Sequence, residues 1–234
     1  MVKKVISKVK QFLYYKIFYP KYNIPHKWYT ESDEKFKFIH ILEAVNYIKV
    51  AELPNVFFEF GCHSGRTYSA ALLASKFFNF ELKNYAFDSF EGLPETSKNV
   101  DGIFKSGTFY TKKEDFVKIV KNRTGILLHD DQLIQGSYEK SLTDKLKERL
   151  PKSVGFVHID VDLYSSAITV LEFIKTFLVS GTVILFDDWY CFSAGKQMGE
   201  RKALNEFLKK YPEIELEEWK NYSTYGKSFL VKKV

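Results

Sequence analysis

The chain predicts a doubly wound α/β domain, a mostly parallel sheet closed by an antiparallel hairpin, on three observations. Short runs rich in Val, Ile and Phe alternate with stretches of helical period, the pattern of a sheet covered by helices on both faces. Two of these runs stop on carboxylates: Val157-His158-Ile159-Asp160-Val161-Asp162 and Val183-Ile184-Leu185-Phe186-Asp187-Asp188. A third, Val56-Phe57-Phe58-Glu59-Phe60, enters a glycine turn, Gly61-Cys62-His63-Ser64-Gly65. Ligands of open α/β sheets sit beyond the carboxyl ends of the strands, so all three features belong to one crevice.

The elements follow in order. Val2, Ile6, Val9, Leu13 and Ile17 recur at helical spacing and predict a basic amphipathic helix over Val2–Phe18, ended by Pro20. Ser32, followed by Asp33 and Glu34 and then Phe36, Phe38, Ile39, Leu42 and Val45, predicts a capped helix to about Val50, which Pro54 and Asn55 separate from the first strand. Thr67–Phe78 is a helix, Tyr85–Asp88 the second strand, Glu114–Lys121 a helix and Gln132–Gln135 a short third strand. Between them Gly92–Thr111 has no apolar period and predicts a long loop, of the kind that serves as a lid. Gly155–Asp160 is the fourth strand, Ser165–Leu178 a helix, Thr182–Phe186 the fifth strand and Met198–Tyr211 a helix ended by Pro212. Glu215–Tyr222 and Lys227–Lys232 close the chain as a hairpin around Thr224-Tyr225-Gly226, giving seven strands in all. With no repeat or linker, residues 51–234 are expected to form one domain, preceded by an arm and helix over 1–50.

Composition narrows the classes. The 234 residues are 45% hydrophobic and 17% aromatic, which suits one globular domain with a full core and excludes disorder. Two cysteines, Cys62 and Cys191, fit neither a disulfide framework nor a zinc site, so a cytoplasmic setting is expected. Net charge is +6, and seven lysines without an acid lie between Met1 and Thr30. Lysines interrupt any apolar core there, so the arm is no signal peptide, and no later stretch is long enough to span a bilayer. Packing on its own domain or on a second subunit of a homo-oligomer is expected of it first, a peripheral contact with a membrane surface second. No nucleic-acid motif accompanies the charge, and no nucleic-acid partner is expected.

Glu59, Gly61 and Gly65 fit E-x-G-x-x-x-G, in which glycines let backbone approach a ligand and Glu59 can bind a cationic or hydroxyl group; the spacing is not that of a dinucleotide site. Asp88, 27 residues beyond Gly61 at the end of the next strand, is placed to accept hydrogen bonds from both hydroxyls of a ribose. Cys62 supplies a small side chain in the turn rather than a nucleophile. Asp160, Asp187 and Asp188 together offer oxygen ligands to a hard divalent cation such as Mg²⁺, since adjacent carboxylates repel unless a cation or proton lies between them. Asp162, directly before a helix, reads as its cap. His158 reads either as a donor behind the acids or as a core histidine, and Trp189, Tyr190 and Phe192 either as a stacking wall or as packing.

These residues carry a resemblance. Phe58-Glu59-Phe60-Gly61 with Gly65, Phe87-Asp88-Ser89-Phe90-Glu91-Gly92-Leu93-Pro94, Gly136-Ser137-Tyr138 with Ser141-Leu142, His158 to Ser166, and Phe186-Asp187-Asp188-Trp189 resemble the macrocin-type O-methyltransferases over about Val56 to Trp189. That family implies a Rossmann-like class I methyltransferase fold, S-adenosylmethionine and Mg²⁺ as cofactors, and a sugar or glycoside hydroxyl as acceptor. It implies Glu59, Gly61 and Gly65 along the methionine end of the cofactor, Asp88 on the ribose, Ser89 beside the adenine, and Gly136 and Ser137 closing the adenine pocket. It also implies Asp160, Asp187 and Asp188 on the metal, with Asp160 the candidate base. Arg66 stands where many of these enzymes have a second glycine, and the basic arm lies outside the match. The alternatives are the same chemistry on a catechol or phenol, or a cofactor-binding scaffold without turnover.

Overall fold

The structure, a computed structural model, describes residues 32–93, 107–193, 195 and 197–234. The expected helix over Val2–Phe18 and most of the Gly92–Thr111 loop lie outside the described residues. Helix α1 spans Ser32–Val50, strand β1 Val56–Phe60, helix α2 Arg66–Phe77 and strand β2 Lys83–Asp88. Helix α3 (Lys113–Thr124) leads through a short 3-10 turn to β3 (Leu133–Gln135), followed by two short helices, α4 (Tyr138–Ser141) and α5 (Asp144–Arg149). Then come β4 (Phe156–Ile159), α6 (Tyr164–Ile174), β5 (Val183–Phe186), α7 (Gly199–Lys210) and the hairpin β6 (Glu215–Asn221) and β7 (Lys227–Lys233).

The seven strands lie in the order β3-β2-β1-β4-β5-β7-β6, parallel except for the β7 and β6 edge. This is the doubly wound, mostly parallel sheet with a terminal antiparallel hairpin that the sequence predicts. From β1 the chain winds outward through β2 to β3, then returns to β4 on the other side of β1. The order reverses between β1 and β4, and a crevice opens at that switch point.

β1, β4 and β5 are buried at every residue, as strands covered on both faces must be. Helices α1 and α2 cover one face, around Phe57, Tyr68, Phe116 and Phe156. α6 and α7 cover the other, around Phe58, Phe60, Phe87, Phe173 and Phe186. A division at residue 50 does not separate α1 from the domain. Its Phe38, Ile41, Ala44, Val45 and Ile48 are buried in the same cluster as Phe57 and Leu72. Among the described residues no helix is long and apolar enough to cross a membrane.

Two local expectations change. Ser165–Leu178 is not one helix: α6 stops at Ile174 and tightens into a 3-10 turn over Lys175–Phe177. α4 and α5 are too short to show a helical period in the sequence.

Candidate active site

The backbone ladder of the sheet runs past the strand ends and sets the site residues in a row. Gly136 N donates to Asp88 O (3.0 Å), Gly61 N to Phe87 O (3.0 Å), Asp160 N to Phe60 O (2.9 Å) and Asp187 N to Ile159 O (3.0 Å). Four residues from four sequence regions thereby share one edge. Beyond them lies a cavity of about 670 Å³, lined by Glu59, Gly61, Asp88, Ser89, Gly136, Ser137, Asp160, Asp187 and Asp188 among others. Its volume falls in the range of roughly 300–1,000 Å³ found for small-molecule sites.

The glycine-turn side is held by backbone. Gly61 has φ +79°, and a Cβ there would sit 1.7 Å from the Asp160 carbonyl oxygen, so only glycine lets β1 and β4 meet at the switch point. Asp88 Oδ2 accepts from the amides of Cys62 (2.7 Å) and His63 (3.1 Å), and Oδ1 from Phe90 N (2.7 Å). The carboxylate therefore locks the turn while it lines the cavity. Ser89 Oγ donates to Gly92 O (3.0 Å) and shapes the wall beside it. Burial, with the charges of Glu59 and Asp88, pushes the Cys62 thiol well up, so it is no nucleophile. Gly65 departs from its expected place. It lies outside the cavity lining, and at φ +66° its bare Cα faces Phe116, whose ring would stand 2.9 Å from a Cβ. Helix packing, rather than approach to a ligand, explains this glycine.

The other side is an acidic chamber. Asp160, Asp162 and Asp188 bring carboxylate oxygens within 4.8 Å of one another, and a ring nitrogen of His158 lies within the same distance of oxygens of Asp160 and Asp187, with Asp160 common to both sets. Burial, then the Asp187 charge, pushes Asp160 well above the usual carboxylate range. Burial and Asp188 raise Asp162 to about 8, and burial and Asp187 raise Asp188 to about 6. Asp187 goes the other way. Burial would raise it too, but the Lys37 ammonium, with His158, holds it well below. Lys37 Nζ lies 2.6 Å from Asp187 Oδ2, and Tyr222 Oη donates to Asp187 Oδ1 at 3.1 Å. Behind them His158 is fully buried and kept neutral by that burial, 3.7 Å from Asp187 and 3.9 Å from Glu59.

Several residues here differ from the sequence reading. Asp162 does not cap α6; the cap position is Leu163, without a side-chain bond, and Asp162 sits at φ +58° with its buried carboxylate among the acids. Glu200, fully buried at the start of α7, accepts from Asp188 N at 2.9 Å and fixes the Asp187–Asp188 corner. Trp189 is packing: its ring lies 4.9 Å from Phe229 and 5.3 Å from Phe186, away from the cavity. Lys37, Tyr222 and Glu200 carried no local signal, since each reaches the site from a distant element.

The donor set fits a hard divalent cation. All the donors but one are carboxylate oxygens, and the buried Asp188 faces Asp162, so a proton or a cation must lie between the two. A buried carboxylate without a partner is costly unless a proton or a cation meets it.

A family model described as a methyltransferase domain matches residues 58–189, more than half of the chain, and the chain belongs to that family. No curated protein sequence matches it. Among solved structures it is similar to the O-methyltransferase NovP (TM-score 0.67, 16% identity, 85% of this chain and 80% of that one). It is also similar to CalS11, a calicheamicin methyltransferase (0.65, 17%, 84% and 79%), and to an O-methyltransferase from Bacillus cereus in complex with SAH (0.50, 12%, 83% and 81%). At these identities the likeness is one of fold, the class I methyltransferase fold. The protein is a methyltransferase.

Proposed function

We propose that the protein is an O-methyltransferase that takes its methyl group from S-adenosylmethionine and uses a divalent cation, Mg²⁺, to act on a hydroxyl of a sugar or glycoside. The observation that carries this reading is the single crevice with a glycine-turn wall on one side and converging carboxylates on the other. The similar structures support it. One is a complex with SAH, and CalS11 is a TDP-rhamnose 3'-O-methyltransferase.

The roles follow from position. Gly61 and Glu59 line the cavity and would meet the cofactor's methionine end. Asp88 Oδ1 keeps acceptor capacity for a ribose hydroxyl after its one bond to Phe90 N. Ser89, Gly136 and Ser137 line the cavity and would bound the adenine end. Asp160, Asp187 and Asp188 would hold the cation, which when bound lowers the cost of developing charge on an acceptor oxygen. An alcohol is a poor nucleophile until its proton is removed, and the carboxylate of Asp160 is placed to take it. The crevice walls keep the two reactants in line, a contribution comparable to the electrostatic one.

Labelled S-adenosylmethionine offered with Mg²⁺ to a panel of nucleotide sugars, glycosides and catechols tests this. Transfer to a sugar hydroxyl supports the reading. Transfer confined to catechols moves the acceptor to vicinal phenols, and no transfer together with no SAH binding overturns it.

A further inference from the structure

Lys37 lies outside the residues that the family model matches, yet its ammonium sits in the acidic chamber. It is delivered by α1, and α1 is fixed from two sides. Ile41, Val45 and Ile48 are buried in the core, while His40 stacks on Tyr222 at 5.0 Å and bonds Ser228 Oγ through Nε2 at 2.8 Å. The lysine is thus not a loose surface chain. Its side chain is 17% exposed and its Nζ stands 2.6 Å from Asp187 Oδ2, while the one hydroxyl proton of Tyr222 is shared between Phe186 O at 2.9 Å and Asp187 Oδ1 at 3.1 Å. Asp187 Oδ2 is thus held by the ammonium, whereas the neighbouring buried Asp188 faces Asp162 and no cationic side chain among the described residues is paired with it at salt-bridge distance.

We propose that Lys37 is a tethered competitor of the divalent cation: its ammonium holds Asp187 Oδ2, and a cation drawing on Asp187 must work against that charge. Lys37 is a positioning residue that sets how tightly the chamber takes a cation. This rests on the metal reading above. Two positive charges cannot share one carboxylate oxygen in a buried chamber without strong repulsion, which is weakly screened there. Removing the ammonium while keeping the length of the side chain therefore tightens cation binding.

The test uses Mn²⁺ alone, followed by the electron paramagnetic resonance signal of the free ion, on the full chain and on Lys37→Met, Lys37→Gln and Lys37→Arg. Thermal unfolding followed by circular dichroism checks that each variant folds, and the two neutral variants serve as independent copies of the same test. Lys37→Met or Lys37→Gln should bind Mn²⁺ at least tenfold more tightly, and Lys37→Arg within about threefold of the unmodified protein. Equal affinity in the neutral variants overturns the inference and leaves the metal reading standing, and so does weaker binding, which would make Lys37 an organiser of the ligands. No Mn²⁺ bound by any of the proteins at millimolar ion overturns both.

Discussion

On the β1–β2–β3 side of the crevice the conspicuous polar group is satisfied by backbone. Asp88 takes three amides, and the turn it holds carries Gly61 against the Asp160 carbonyl. On the β4–β5 side, carboxylates from Asp160, Asp162, Asp187 and Asp188 are crowded into a buried chamber in which the Lys37 ammonium stands against Asp187. Around Asp88 the first side is a mould held by backbone hydrogen bonds, with the buried Glu59 carboxylate behind it. The second stores electrostatic energy that a cation or protons must relieve. The difference separates recognition from chemistry, and it can be broken at either end.

The largest effect is expected at Asp160. Asp160→Asn keeps an oxygen donor and removes the charge and basicity, so turnover should fall by about 10²–10⁴ while SAH affinity stays unchanged. Wild-type turnover would put the chemistry elsewhere. Next is Gly61→Ala, where a methyl would meet the Asp160 carbonyl at 1.7 Å and φ is +79°. A loss of about 4 kcal/mol or more is expected, read from denaturant unfolding, because backbone on both sides must shift. A loss under 1 kcal/mol would show that the switch point is looser than described. Asp88→Ala should weaken SAH binding by about ten- to a hundredfold, the worth of charge-assisted bonds of roughly 1.5–3 kcal/mol, and calorimetry decides it. Unchanged affinity would place the ribose on other residues.

A separate effect, needing no variant, is on stability against pH. Asp162 and Asp188 have folded values of about 8 and about 6, above the unfolded carboxylate value of about 3.9. Between those limits the folded state binds more protons than the unfolded one, so stability falls as pH rises from about 4 to 8. Asp187, held low by Lys37, contributes a constant amount above about pH 4 and does not cancel the trend. In EDTA the Tm should drop between pH 5 and pH 8, by about 2–4 °C for each kcal/mol, and Mg²⁺ should restore more of it at pH 8. A Tm independent of pH over that window would contradict the chamber's electrostatics.

The two sides also differ in how much the sequence discloses. Strand ends are local, so Gly61, Asp88, Asp160, Asp187 and Asp188 were legible from apolar runs that stop on a glycine or an acid. The parallel order followed from the alternation of strand and helix. What was not legible comes from long-range packing. Lys37 meets Asp187 across 150 positions and Tyr222 meets it across 35, and no periodicity in α1 or in the turn after β6 announces either contact. Gly65 looked like part of a ligand turn because its partner, Phe116, lies on another helix. Asp162 looked like a helix cap because its left-handed backbone, which turns the carboxylate to its fellow acids, is not written in the residue type. Trp189 faces Phe229 because β7 joins the sheet beside β5, a pairing fixed only by the closing hairpin.

One pair of measurements on a single preparation tests most directly the claim that the two sides divide recognition from chemistry. SAH affinity and methyl transfer to a sugar acceptor are to be read first in excess EDTA and then after addition of Mg²⁺. The account predicts an SAH affinity that changes less than twofold, with transfer absent in EDTA and restored by Mg²⁺. Full transfer in EDTA would contradict it.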